Sequence, residues 1–326
     1  MKRLVLSMVL VASSASAQRP LEETSEFWRE VRAPGQQRAR TLTEHALGLI
    51  RKAREEMNRP SPRPYVRAAF LEGAIQRLEL ARRHAPRDPE VLFYLARAVA
   101  EFERPNEDGP PERRDADAVA LYHELRALDA DFLTETVGFE LGVLHSRTGD
   151  FEDAAREYRH ALAHTFDVES VSVTHANLAE VRMMAGALEE AVHHYERAID
   201  VAEHNPVADQ TRSLALAHWG RAVALDRLGE HRAALESARR AMSIYGGAMS
   251  VLRSQGVFFD PPSEIHYYEA LGWMAKAERD DEDARGESLE NARSSWQQYL
   301  ALSPDDDPWR SLAEQHAREV AAAIRE

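Results

Sequence analysis

The 326-residue sequence contains no cysteine and only three lysines, Lys2, Lys52 and Lys276. Without thiols the chain has no disulfides, no thiolate metal centre, no cysteine nucleophile and no lipid-modified N-terminal cysteine. Arginine supplies the remaining positive charge, a bias expected of a GC-rich bacterial genome. Even so, 55 acidic residues outnumber 41 basic ones, leaving a net charge of −14. Nucleic acid and anionic lipid both require a concentrated basic face, so neither is an expected partner. Long apolar runs are also missing: the stretch Leu4–Ala12 falls well short of the ~20 residues that span a bilayer. There is no glycine-rich phosphate loop, and no serine sits in a strand–turn–helix elbow of the hydrolase type. Catalysis is therefore not expected, and no cofactor is implied.

The apolar run at the start has a different meaning. Lys2 and Arg3 precede it, and Ala15-Ser16-Ala17 supplies a small-residue cleavage pattern before Gln18. Together these predict a secretory signal peptide over residues 1–17, with the mature chain periplasmic or secreted and free of any membrane span. Without Lys2 and Arg3, 39 basic residues face 55 acidic ones, and the net charge becomes −16.

What the sequence has in abundance is repetition. Leu141-Gly142, Gly149, Ala154, Tyr158 and Ala161 recur as Leu178-Ala179, Gly186, Ala191, Tyr195 and Ala198, a shift of 37 residues at every step. A period of this size is read before any other signal, because it fixes the architecture. Small residues at 142 and 179 let a second helix come close, and Ala154 and Ala191 answer them from that helix. Gly149 and Gly186 fall where the first helix must stop, a place for the left-handed backbone. One such pair cannot bury its apolar stripe alone, so neighbours must stack.

Further copies follow in both directions. Leu47-Gly48 with Ala74, Leu78, Ala81 and Pro86 gives a first repeat, and Thr41 with Glu44 predicts a capping box opening it. Asp88-Pro89, Leu95-Ala96, Ala118, Tyr122 and Leu125 give a second, interrupted by a loop over 104–115. Ala222, Gly229, Ala234, Ala238 and Ala241 give a fifth. It departs from the pattern at Arg221 and Ala238, which predicts looser packing. Leu271-Gly272, Ala292, Trp296, Tyr299 and Pro304 give a sixth. Asp307-Pro308 then opens a last helix to about Arg325, with Leu312, Val320 and Ile324 on its apolar side. The organisation expected is a signal peptide (1–17), an N-terminal helix and linker around Phe27, Trp28 and Val31 (18–40), a repeat region (41–304) and a C-terminal capping helix (305–326). Between repeats five and six, Pro261-Pro262 forbid helix, and Phe258 and Phe259 are expected to bury against repeat six rather than form a lid.

The small–small–aromatic spacing resembles the tetratricopeptide repeat, a helix–turn–helix unit. That resemblance implies an all-α, right-handed α-solenoid of about six antiparallel helix pairs, with a concave groove lined by the first helices. By register the groove takes Phe93 and Arg97 from repeat two, and Phe139, Val143 and Arg147 from repeat three. Repeat four gives Asn177, Glu180, Met183 and Met184, and repeat five Trp219, Val223 and Arg227. His266, Glu269 and Trp273 complete it. Aromatics are frequent binding hot spots and methionine adapts to varied surfaces. The implied function is an exported, non-catalytic interaction scaffold holding a protein or peptide segment. An envelope structural component with an empty groove, or a glycan binder using tryptophans, is the alternative. Asn177 has no lysine companions, so the carboxylate-clamp subtype is not implied.

Two stretches carry metal-like spacings. His160 and His164 stand one turn apart, with His175 and His193-His194 in the next repeat, but no thiolate is available and no Glu follows His160 in the pattern of a zinc hydrolase. The run Asp281–Gly286 begins like a calcium loop, yet Arg285 takes a ligand place and Ala292 the closing one. No metal site is expected, and 281–286 is expected to be an acidic turn.

Overall fold

The computed structural model describes residues 34–106, 109–165, 167–205, 211–244, 249–254, 259 and 261–325. The proposed signal peptide, Phe27, Trp28, Val31, Phe258 and Gly256 lie outside the described residues. Among the described residues there are thirteen α-helices and one short hairpin, grouped into two compact units that divide between Phe132 and Leu133.

The first unit contains α1 (Pro34–Met57), α2 (Pro64–His84), α3 (Pro89–Ala100) and α4 (Asp115–Leu128). Proline at the first helical position costs no hydrogen bond, and α1, α2 and α3 all begin on one. The first helix thus starts at Pro34 rather than at Thr41, whose hydroxyl bonds back to the Gln37 carbonyl inside the helix at 3.1 Å. Asp88 caps α3 as expected, its carboxylate accepting from the Glu90 and Val91 amides. The interruption after α3 is a two-residue antiparallel ladder, β1 (Glu103–Arg104) and β2 (Glu112–Arg113). Cross-strand ion pairs Arg104–Glu112 and Arg113–Glu103, at 3.1 and 3.0 Å, accompany it.

The second unit stacks four helix pairs: α5 (Thr134–Thr148) with α6 (Phe151–His164), α7 (Val168–Met184) with α8 (Leu188–Glu203), α9 (Thr211–Arg227) with α10 (His231–Ile244), and α11 (Glu264–Ala277) with α12 (Glu282–Leu302). Then comes α13 (Arg310–Ala323). Gly149, Gly186 and Gly229 end the first helices with φ of 79°, 80° and 82°. Each stop carries the paired bonds of a Schellman motif, as in Gly186 N–H to the Met183 carbonyl and Ala187 N–H to that of Arg182. The run 281–286 is the start of α12, not a separate turn, because Asp281 caps it through the Ala284 amide at 3.0 Å.

Packing follows the repeat. Tyr158 lies against Gly142, where a Cβ would approach its ring to 2.6 Å. Tyr195 lies against Gly220 of the following repeat, even more tightly. Repeat five is not loose. Ala215, Trp219, Ala222, Val223, Ala234, Ala238 and Ala241 all belong to one apolar cluster running on through Tyr267, Trp296 and Tyr299. Arg221 is absorbed at its edge by Glu196 at 2.8 Å.

Candidate partner-binding face

In the second unit the first helices α5, α7, α9 and α11 carry the predicted groove positions, and the structure sorts them into two groups. On α5 and α7, Phe139, Val143, Arg147, Asn177 and Met184 are half-buried, beside neighbours such as Leu141, Leu144 and Leu178 that are wholly buried. Phe139 meets Tyr158 edge-on at 5.8 Å. Met183, one position from Met184, points into the core at 2 % exposure.

On α9 the outcome is different. Trp219 and Val223 are fully buried, and Arg227 has only 4 % of its side chain exposed. These three are core rather than groove, and the reason is local. Glu180 of α7 accepts a hydrogen bond from the Tyr195 hydroxyl at 2.5 Å and another from Tyr268 of α11. A residue on α7 is thereby joined to one on α11, two first helices further along, with the small-residue face of α9 between them. Burial holds the Glu180 carboxyl above its ordinary pKa, against the pull of Tyr195 and Arg227.

Arg227 is held just as firmly. One terminal nitrogen donates to both oxygens of Glu264, at 2.8 and 2.6 Å. Its guanidinium also lies 5.1 Å from the Tyr267 ring and 4.9 Å from the Trp309 ring. A guanidinium so paired is protonated and committed to the fold, unavailable to an anionic ligand.

The α11 positions lie partly open. His266 and Glu269 have 13 % and 16 % of their side chains exposed, 3.4 Å apart, and Arg253 donates to Glu269 at 2.7 Å. Trp273 is half-buried, with the Lys276 ammonium 5.1 Å from its ring. In the first unit Phe93 is core at 4 % exposure, wedged between Tyr122 and Phe132, at 6.3 and 6.1 Å. Arg97 is half-buried beside Glu101. Phe93 is thus core rather than groove, like Met183 and the α9 residues: the aromatic needed to fill the space between α3 and α4 comes from the position read as groove.

Residues the register did not single out are Tyr268, Glu264, Asp226, His231, Trp309 and His316. Only two left a trace in the sequence. His231 replaces the apolar residue that opens the second helix elsewhere (Phe151, Leu188), and Asp226 stands where the other repeats have Ser146 and Met183.

Antiparallel helix pairs with left-handed glycine stops, closed by an aromatic against a small residue, define an all-α helical-repeat solenoid. Residues 170–246 match the tetratricopeptide repeat family, and the all-α solenoid is of that repeat kind. PilF of Pseudomonas aeruginosa is similar in fold, with 16 % identity and a TM-score of 0.51 over 89 % of this chain and 99 % of that one. MamA from Desulfovibrio magneticus RS-1, residues 41 to its end, shares 15 % identity with a TM-score of 0.49, covering 65 % of this chain and 98 % of its own. No curated protein matches the sequence. Among the described residues no helix is long and apolar enough to cross a membrane.

Proposed function

We propose that this chain is an exported, non-catalytic scaffold that holds a segment of a protein partner on the face formed by α5 and α7. The observation that carries the reading is the survival of Phe139, Val143 and Met184 as half-exposed apolar groups on two adjacent first helices, while the equivalent row on α9 is sealed. A surface of this kind offers an aromatic anchor, an adaptable thioether and the flanking polar groups Asn177 and Arg147. Export rests on Lys2, Arg3, the short apolar run and Ala15-Ser16-Ala17, which support a periplasmic or secreted location.

The test is capture of partners from envelope extract on the immobilised chain, identification by mass spectrometry, and affinity measurement with the purified partner. Phe139→Ala and Met184→Ala should each weaken binding at least tenfold, whereas Arg97→Ala in the first unit should not. A partner that binds both α5 and α7 variants with unchanged affinity would remove this face from consideration.

A further inference from the structure

Three potential metal ligands from separate segments converge at the end of α9. Asp226 lies in its last turn, His231 opens α10, and His316 comes from the middle of α13, 90 residues from Asp226. One donor atom from each lies within 4.8 Å of the others. His231 Nδ1 is 2.6 Å from Asp226 Oδ1, and His316 Nε2 is 3.1 Å from both Asp226 oxygens. Ligands around a tetrahedral zinc, at bonds of about 2.0–2.1 Å, sit roughly 3.3 Å apart. The His316–Asp226 spacing is within about 0.2 Å of this, and His231 Nδ1 has to withdraw from Asp226 by about 0.7 Å to admit an ion. We propose that Asp226, His231 and His316 form a binding site for a divalent transition metal of the zinc class, which fastens α13 to the α9–α10 turn.

The surroundings are those a metal site requires. Glu319 lies 3.2 Å from His316 Nδ1, so the imidazole turns Nε2 towards the carboxylate. A carboxylate behind a ligating histidine fixes its tautomer and raises its basicity. Asp226 is oriented in turn by the Tyr267 hydroxyl, which donates to Oδ2 at 2.5 Å. Trp296 stacks on the His316 ring with centroids 5.1 Å apart, closing one side. The other side is open: Asp226 and His316 have 1 % and 2 % of their side chains exposed, but His231 has 39 %. A surface cleft of about 760 Å³, lined by Gly229, Glu230, His231 and Arg232 among others, lies at that entrance. Three protein ligands and an open side leave a fourth position for water or for a partner's side chain.

Two imidazoles and one carboxylate suit zinc and its neighbours rather than calcium or magnesium, which take oxygen ligands. His316 has a carboxylate at each ring nitrogen, the arrangement of an imidazolium. A metal therefore displaces the Nε2 proton, and binding releases it to buffer.

Zinc titration of the full chain by calorimetry, in two buffers of different ionisation enthalpy, reads stoichiometry and proton release together. The expected result is one zinc per chain at this site with release of about one proton. Glu319→Gln, a change at a half-exposed position that touches no metal, should weaken zinc binding roughly 10- to 100-fold. His231→Ala, at a helix start, should remove the zinc-dependent rise in melting temperature while circular dichroism stays that of the parent. Absence of zinc binding by the parent chain overturns the proposal. So does binding that survives both His231→Ala and Glu319→Gln unchanged, which would place the ion on other histidines such as His175 and His194, whose Nδ1 atoms lie 3.2 Å apart.

Discussion

Replacing Gly220 with alanine should destabilise the second unit, although alanine is the better helix former. Gly220 lies inside α9, where glycine costs about 1 kcal/mol relative to alanine, so propensity alone predicts a gain. The structure puts Tyr195 in the way: an added Cβ would fall well inside van der Waals contact with its ring carbons and hydroxyl. Tyr195 is 2 % exposed, and overpacking a buried ring costs about 1–3 kcal/mol. Moving that ring also breaks its 2.5 Å bond to Glu180, about 1.5–3 kcal/mol for a bond to a charged group. With the propensity gain subtracted, the net loss is about 1.5–5 kcal/mol. For a unit of this size each kcal/mol lowers the melting point by roughly 2–4 °C. Gly48→Ala is the control, because a Cβ there meets nothing within 4 Å, and it should raise stability by about 0.5–1 kcal/mol. Tyr195→Phe removes the hydrogen bond without the overlap and should fall between the two. Thermal melts and urea unfolding of all three variants measure the order. A Gly220→Ala protein that melts at or above the parent temperature would refute the reasoning.

Three other outcomes are expected. Phe259 meets Tyr268 at 5.1 Å, so Phe259→Ala should reduce stability by about 1–2 kcal/mol for a half-buried ring, seen as a lower melting temperature, and leave partner affinity of the folded protein unchanged; stronger binding at undiminished stability would instead mark a lid. Burial lowers the pKa of His218 to about 4, so the unfolded chain binds one more proton between that value and about 6.5, and stability falls as the pH drops through this window, by about 3 kcal/mol at most. His218→Leu should flatten that slope in urea melts, and an unaltered slope counts against the assignment. Amino-terminal sequencing of envelope-located protein should begin at Gln18, and recovery of intact Met1 there would refute export by cleavage.

The helix pairs were legible in the sequence because their determinants are local. Gly149, Gly186 and Gly229 announce the ends of first helices through backbone conformation alone, and each takes the left-handed form. Small residues facing an aromatic are periodic, so Tyr158 and Tyr195 could be placed on a packed face. Which glycine receives the aromatic could not be read that way. Gly48 shares its register with Gly142 but touches nothing, whereas Gly220, outside that register, carries Tyr195. Helix starts failed for a similar reason: Thr41–Glu44 satisfies a capping box on paper, but Pro34 begins the helix earlier and puts Thr41 in its interior.

The candidate face was legible only in part, because register says which way a side chain points and not what comes to cover it. Trp219 and Arg227 occupy the same register positions as Phe139 and Arg147, yet they lie in the interior. What separates the two sets arrives from far along the chain: Tyr268 and Glu264 on α11, and Trp309 just before α13, contact Glu180 and Arg227 from 37 to 88 residues away. The C-terminal helix is therefore more than a polar end to the stack. Through Trp309 and His316 it takes part in the packing of repeat five, beyond the whole of repeat six in the sequence. Asp226 and His231 supply polar groups that a helix pair could not bury by itself, and Tyr267 and His316 satisfy them. Repeat five and α13 each carry half of one buried polar arrangement. The polar departures at Asp226 and His231 thus have their explanation in α13, whereas Arg221 is answered within the stack by Glu196.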